Sequence, residues 1–239
     1  MMARGRAVSG SSDLDTRLAA DRNRALALLS RAGTDSREIT PDILARLDRF
    51  VALLLQWQGT TNLVAPSTLP DLWTRHVADS LQLLPLAPGA RHWIDLGSGG
   101  GFPGLVIACA LTDVPGARVH LVESNLKKAA FLREAARIAD VPATVHARRI
   151  EDVVDGFAEP VEIVTARALA SLEKLLESAY PLLKRGAQAL FLKGQDVDAE
   201  LTAASKCWTI NAELIQSATD SLGRIVRVRS VERRHPDRE

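Results

Sequence analysis

Cysteine is nearly absent: the 239 residues contain two, Cys109 and Cys207. They lie far apart and form no metal-ligand pair, so a thiolate metal site is not expected. Cys109 sits in an apolar run and reads as a buried small hydrophobe. Long apolar runs are lacking too. The longest strongly apolar stretch, Phe50 to Leu55, falls far short of the roughly 20 residues a membrane-spanning helix needs. Residues 1–16 carry arginines but no apolar segment of the signal-peptide kind, so the expected location is the cytoplasm. An excess of one charge sign is missing as well: 30 basic against 29 acidic residues leave a net +1. Dedicated nucleic-acid binders are often far more basic, so any RNA contact must come from local clusters. No internal repeat of fixed period is found. The balance of 46% apolar and 25% charged residues is ordinary for a globular chain with one good core, leaving only the two ends as candidates for disorder.

The first third of the chain reads as helical. Residues 1–12 are small, polar and basic and read as a flexible arm. From Leu14 onward, Leu18, Leu26 and Leu29 recur at helical spacing until Gly33. Thr40-Pro41-Asp42 is a helix start with an N-cap, a proline at the first position and an early acid. The helix it opens is expected to bury Ile43, Leu44, Leu47, Phe50, Val51, Leu54 and Leu55 and to end at Gly59. A third helix is expected from about Pro70 to Leu84.

After Gly89 the pattern changes to alternating strands and helices. Strands are expected at 92–96, 118–122, 143–147, 161–166 and 188–192, with helices at 103–111, 127–139 and 172–183 between them. Such alternation implies a parallel, doubly wound sheet with right-handed crossovers. The last two runs, 208–215 and 225–231, are joined by a turn too short for a crossover helix and should pair antiparallel at one edge. The fold class expected is therefore α/β, with the mostly parallel, Rossmann-like seven-stranded sheet and C-terminal antiparallel hairpin of class I methyltransferases. The division expected is an arm over 1–12, a helical region over 13–88 and a catalytic domain over 89–239.

The most informative segment is Asp95-Leu96-Gly97-Ser98-Gly99-Gly100-Gly101-Phe102-Pro103-Gly104. A glycine-rich turn at the carboxyl end of the first strand lies where open α/β sheets bind ligands. Two ligands compete for it. Gly99-x-Gly101-x-x-Gly104 satisfies a dinucleotide fingerprint, and Glu123, ending the second strand, stands at a suitable distance for a ribose-binding acid. Against a dinucleotide stands Asp95, two residues before Gly97, whose carboxylate would repel a pyrophosphate. The same charge favours the ammonium and sulfonium of S-adenosylmethionine. Glu123 suits the ribose of either. Ile150-Glu151, after the third strand, is placed to reach the adenine edge.

At this point the sequence resembles the RsmG (GidB) family, methyltransferases that act on guanine N7 of 16S ribosomal RNA. The resemblance rests on Gly97-Ser98-Gly99-Gly100-Gly101-Phe102-Pro103-Gly104 and on four further segments in order. These are Arg75-His76-x-x-Asp79-Ser80, Lys127-Lys128-x-x-Phe131-Leu132-Arg133, Ala166-Arg167-Ala168-Leu169-Ala170 and Leu192-Lys193-Gly194-Gln195; Trp57 and Asn62-Leu63 also fit. The family's cofactor contacts carry over onto Gly97, Phe102, Ile150, Glu151 and Arg167. Gln58 stands where the family commonly has Asn after the Trp, and Val64 where Thr or Ser is usual. The resemblance implies S-adenosylmethionine as cofactor and 16S rRNA, or the small ribosomal subunit, as partner. A monomer is expected.

Guanine N7 keeps a free lone pair, so no proton must leave before it attacks a sulfonium methyl. The chemistry then rests on positioning and electrostatics, and no catalytic dyad is needed or found. Arg167, after the fourth strand, is the candidate for orienting the donor's carboxylate or the target nucleotide, with a structural ion pair to Glu151 or Glu162 as the competing role. His76 either approaches the target base or ties the helices to the catalytic domain. Trp57 is the candidate for an exposed stacking platform, the other tryptophans reading as core. For RNA the basic candidates are Arg148, Arg149, Lys184, Arg185, Lys193, Arg224, Arg227, Arg229, Arg233 and Arg234. Arg227 and Arg229 share a strand parity and should project from one face.

Overall fold

The structure, a computed structural model, describes residues 6–31 and 38–234. Helix α1 spans Arg6–Arg31, so the arm expected over 1–12 is shortened: the backbone from Arg6 onward is helical. No residue between Arg6 and Leu14 costs more than about 1 kcal/mol in a helix, and the packed half of α1 already nucleates it. Gly33, expected to end this helix, lies outside the described residues. Helix α2 (Pro41–Gln58) starts as its sequence dictates. Thr40 is extended, and its hydroxyl accepts from the Ile43 amide at 3.3 Å. Ile43, Leu47, Phe50, Val51, Leu53 and Leu54 form its buried stripe.

The single helix expected from about Pro70 to Leu84 is instead a series of short pieces. A 3-10 turn covers Pro66–Asp71, a π-helical turn Trp73–Ala78, helix α3 Asp79–Leu81, and a second 3-10 turn Leu84–Leu86. The cause lies partly in α1. Asp21, 2% exposed, accepts the Trp73 and Thr74 amides at 2.8 and 3.1 Å and the Thr74 hydroxyl at 2.5 Å. With those donors met from outside, the chain enters a wide turn where Pro70 would disturb a regular helix.

The remaining elements alternate as expected: β1 (His92–Leu96), α4 (Gly104–Leu111), β2 (Arg118–Val122), α5 (Leu126–Ala139), β3 (Ala143–His146), α6 (Ile150–Val154), β4 (Ile163–Arg167), α7 (Leu172–Leu183) and β5 (Gln188–Lys193). Helix α8 (Val197–Ala204), which no apolar period announced, then leads into β6 (Trp208–Gln216) and β7 (Arg224–Arg233). The sheet order is β3-β2-β1-β4-β5-β7-β6. Strands β1 to β5 run parallel, while β7 is antiparallel to both β5 and β6. The hairpin thus forms one edge, with the last strand inserted inside the penultimate one.

Helices cover both faces. One layer holds α2, α4, α5 and the 72–84 segment, packed in a single apolar cluster with Trp93, Val119 and Leu121. The N-terminal helices therefore share the sheet's core. The other layer, from α6, α7 and α8, closes on Ile94, Leu96, Val164, Phe191 and Val226. Every residue of α4 is buried. On α5 the buried stripe is Ala129, Phe131, Leu132, Ala135, Ala136 and Ala139, while Ala130 is exposed. Arg46 of α2 donates to the Ala139 and Asp140 carbonyls at 3.0 and 2.9 Å, capping the end of α5. Cys109 is fully buried, as expected, and burial pushes its thiol up to about 12. Among the described residues no helix is long and apolar enough to cross a membrane, and no group of three or more His, Cys, Asp or Glu is arranged to hold a metal.

Candidate active site

The chain reverses direction across the sheet at β1, which has β2 on one side and β4 on the other. A crevice forms at the carboxyl ends of strands on either side of such a point. Here it is a cavity of about 900 Å³. One end is walled by Glu123, Ser124, Lys128 and residues 148–151, beyond β2 and β3. The other is walled by Arg75, His76, Asp79, Arg167–Leu169 and the turn Thr219–Ser221, beyond β4 and β6. Gly97–Gly100 and Leu63–Ala65 lie between the two ends.

The glycines of the turn are needed for different reasons. Gly97 has φ +71° and sits under Leu169, whose Cδ1 would be 2.6 Å from an added Cβ. At Gly100 an added Cβ would meet the Leu63 carbonyl oxygen at 2.8 Å, a backbone atom that cannot turn aside. At Gly104 it would run into the side chains of Leu121 and Asp95. Gly101 lies behind the wall, with φ +93° and the Phe50 ring 3.1 Å from where its Cβ would be. Gly97 and Gly99 face the cavity, and Gly101 does not.

Asp95 is the main departure from the sequence reading. Its side chain is 1% exposed and does not reach the cavity. One carboxylate oxygen accepts from the Thr165 hydroxyl at 2.9 Å, the other from the Gly104 amide at 3.2 Å. Burial pushes its pKa up to about 6, against the pull of these hydrogen bonds. It locks the turn to β4 and to the start of α4. Sequence spacing could not separate these roles, because both require a carboxylate two residues before Gly97.

Glu123 does line the cavity at the end of β2. Its two oxygens accept from the Gly99 amide at 2.9 Å and the Asn125 amide at 2.7 Å, so it also braces the turn. Ile150 and Glu151 stand at the first turn of α6, beside Arg148 and Arg149, on the same wall. Phe102 forms a stack in the wall. Phe50 lies 5.2 Å from it, His76 5.0 Å, and the Arg167 guanidinium 5.1 Å.

Arg167 is the last residue of β4. It donates to the Arg75 carbonyl at 3.1 Å and faces Asp79 at 3.6 Å, so its acidic neighbour is neither Glu151 nor Glu162. Glu162 instead accepts from the Arg91 and His92 amides. Burial lowers the guanidinium's pKa, with Asp79 and Asp95 pulling the other way. His76, on the π-helical turn, bonds the Thr68 hydroxyl through Nε2 at 2.9 Å. Burial pushes its pKa down to about 3, helped by Arg167 and Arg75. It is neutral at any ordinary pH.

The basic surface divides. Arg148 and Arg149 flank the main cavity, whereas Arg224 lines a neighbouring depression with Lys193 and Arg167. Lys193 is engaged, with Glu200 at 2.6 Å and the Ala170 carbonyl at 2.8 Å. Arg227 and Arg229 border neither cavity. Ala212 pairs with Val228 while Asn211 pairs with Ser230, leaving Arg229 as the extra residue of a bulge. Arg229 pairs with Glu213. Arg233 stacks on Tyr180 and Trp208, and Arg185 donates to the Phe157 carbonyl.

Trp57 is not a free platform. It packs on Phe131 at 5.8 Å and donates to Glu134 at 3.1 Å. Trp73, Trp93 and Trp208 are buried, as expected. Gln58, where the family commonly has Asn, accepts from the Leu63 and Val64 amides and donates to the Val64 carbonyl, shaping the loop that crosses the cavity. Arg75, Lys128, Leu169 and the turn 219–221 also line the cavity, though no sequence signal singles them out as site residues. The first three lie in motifs already noted for another member; the turn carries no signal beyond polarity.

A doubly wound sheet of this order, with an antiparallel edge hairpin and a glycine-floored crevice ending in an acid, defines a class I S-adenosylmethionine-dependent methyltransferase. Solved structures with this fold include an O-methyltransferase from Bacillus cereus in complex with SAH (TM-score 0.54, 16% identical, covering 91% of this chain and 100% of that one). Another is TomG from Streptomyces achromogenes in complex with SAM (TM-score 0.54, 13% identical, 89% and 98% covered). At such identities they speak for the fold alone.

Sequence relatives are more specific. The model of the GidB family, rRNA small subunit methyltransferase G, matches residues 43–225. A ribosomal RNA small subunit methyltransferase G of Bradyrhizobium sp. (strain ORS 278) is 58% identical over 217 residues, 91% of this chain and 94% of the relative. One of Rhodopseudomonas palustris (strain TIE-1) is 53% identical over 235 residues, covering 98% and 100%. The chain belongs to the rRNA small subunit methyltransferase G family.

Proposed function

We infer that this enzyme transfers a methyl group from S-adenosylmethionine to N7 of a guanine in 16S rRNA. The observation that carries the reading is the state of the acceptor end of the cavity. His76 is the residue type most often used to remove a proton, yet burial holds its pKa near 3. Asp79 accepts from Thr219 and Gln82 and faces Arg167. An acceptor that must lose a proton is poorly served there. Guanine N7 brings a lone pair and has none to lose.

The residues fit the donor. Gly97 and Gly99 line the floor, and a Cβ at Gly99 would meet nothing closer than the Gly97 carbonyl oxygen at 3.7 Å. Glu123 would take the ribose, Ile150 and Glu151 the adenine edge, and Gly97 and Phe102 the methionine part; Asp95 and Gly101 support the turn from behind. Arg167, with few of its donors engaged, would orient a carboxylate. When bound, the donor supplies a sulfonium methyl that leaves its sulfur as the N7 lone pair forms the new bond, so the sulfonium becomes a thioether and the base a cation. Arg148, Arg149, Arg75 and Arg224 would meet RNA phosphates around the mouth.

The test uses small ribosomal subunits from cells lacking this protein, with labelled donor. The reading expects 7-methylguanosine at one site in 16S rRNA on mass spectrometry. Label in protein or in another nucleoside, or stabilisation by NAD in place of S-adenosylmethionine in thermal melts, refutes it.

A further inference from the structure

Three depressions meet at the β6–β7 turn. The main cavity takes in Thr219–Ser221; a second, between that turn and α1, adds Arg24, Asp71 and Arg75; a third reaches Arg224. Among the described residues, Asp220 alone borders all three.

The turn is held by side-chain hydrogen bonds as well as by its backbone. The Gln216 amide nitrogen lies 3.1 Å from each of the Asp220, Ser221 and Gly223 carbonyl oxygens, which share its two N–H groups. Thr219 donates to Asp79 at 2.7 Å, and the Ala218 amide donates to Gln82 at 2.8 Å. Asp79 and Gln82 belong to the segment that also carries His76. The tip is thereby fixed to the acceptor end of the cavity. Asp220 uses Oδ1 to accept the Leu222 amide at 2.9 Å, and its Oδ2 has no hydrogen-bond partner among the described residues. Of the acids at this end, Asp79 is engaged by Thr219, Gln82 and Arg167, which leaves Asp220 as the carboxylate with free acceptor capacity.

We propose that Asp220 reads the Watson–Crick edge of the acceptor guanine; this rests on the guanine-N7 reading above. A guanine with N7 turned to the donor presents N1–H and the N2 amine on its opposite side. Those are two adjacent donors, and a carboxylate accepts both. Adenine offers a bare N1 acceptor at that place, which a carboxylate repels. The residue therefore selects the base without taking part in the transfer of the methyl group.

The experiment compares the parent with Asp220→Ala and Asp220→Asn on two substrates. One is the unmethylated small subunit. The other is a subunit reconstituted with ligated 16S rRNA in which the mapped guanine is replaced by inosine, which lacks the N2 amine. Both variants should lose roughly 10- to 100-fold in kcat/KM on guanine, the range for a charged hydrogen bond. Donor affinity by calorimetry and melting temperature should stay at the parent's values. The asparagine variant keeps an acceptor for the Leu222 amide, so equal losses in both assign the effect to charge. The parent should lose about tenfold or more on inosine, and Asp220→Ala nothing further. Variants as active as the parent, an undiminished inosine penalty in Asp220→Ala, or a matching loss of donor affinity overturn the proposal. A parent that methylates no guanine removes the reading beneath it, which distinguishes that failure from a fault in Asp220 alone.

Discussion

Acid should destabilise this protein through His76, and replacing that residue should remove a calculable share of the effect. The ring is buried against Phe102 at 5.0 Å, with Thr68 on Nε2, Nδ1 buried without a hydrogen-bond partner among the described residues, and the Arg167 and Arg75 charges nearby. Asp79, from the same segment, is the acid near Arg167, and burial raises its own pKa. These surroundings bring the folded pKa to about 3 from an ordinary 6.5. A depressed folded pKa means the unfolded chain takes up the proton first. His76 thus contributes its full share of stability above pH 6.5 and loses it as pH falls towards 3. By linkage the loss at pH 4.5 is on the order of 2–3 kcal/mol. Asp95 works in the opposite sense: with its pKa raised to about 6, its contribution is complete below about 3.8 and declines as pH rises through 6. His120 and His146, both lowered by burial, act in the same direction as His76.

The assay must therefore be differential. Unfolding free energies of parent and His76→Gln are measured in urea from pH 4.5 to 7.5, so that Asp95, His120 and His146 subtract out. At pH 7.5 the variant should be the weaker by about 1–2 kcal/mol, for lost packing against Phe102. At pH 4.5 the gap should close or reverse by the 2–3 kcal/mol given above. Curves that stay parallel across this range refute a buried neutral histidine at 76.

Three further outcomes follow from the site. Gly100→Ala forces its Cβ against the Leu63 carbonyl, so the 62–64 loop must move; we expect a loss of about 1–3 kcal/mol in stability by denaturation and a weaker donor by calorimetry. Unchanged values for both would show that loop to be compliant. Glu123→Ala should weaken donor binding by about 1.5–3 kcal/mol, and unchanged calorimetric affinity removes Glu123 from the site. Arg167→Lys keeps a cation opposite Asp79 but loses the planar fork, so most methylation should vanish while the melting temperature holds. Equal loss of both makes Arg167 purely structural.

Local chemistry made much of this molecule legible. Thr40-Pro41 starts α2 because capping and a fixed φ act over one turn. The glycines at 97–104 announce the crevice because few other sequences tolerate such backbone. Strand and helix periods place the sheet, and the short link between β6 and β7 makes them antiparallel. What escaped depends on partners distant in the chain. The 73–78 turn takes its wide form with Asp21 from α1 bonded to its amides. Asp95 became a brace because Thr165 on β4 and Gly104 sit within reach of its carboxylate. Arg229 became the extra residue of a bulge through pairing with β6.

Fold class and family follow from the order of residues alone, because periodicity, turn chemistry and motif order are properties of the chain as written. Which charges reach the cavity depends on how distant segments pack together. A carboxylate's role depends on what three dimensions bring to its two oxygens: Asp95 is closed off by its neighbours, whereas Asp220 has one oxygen open.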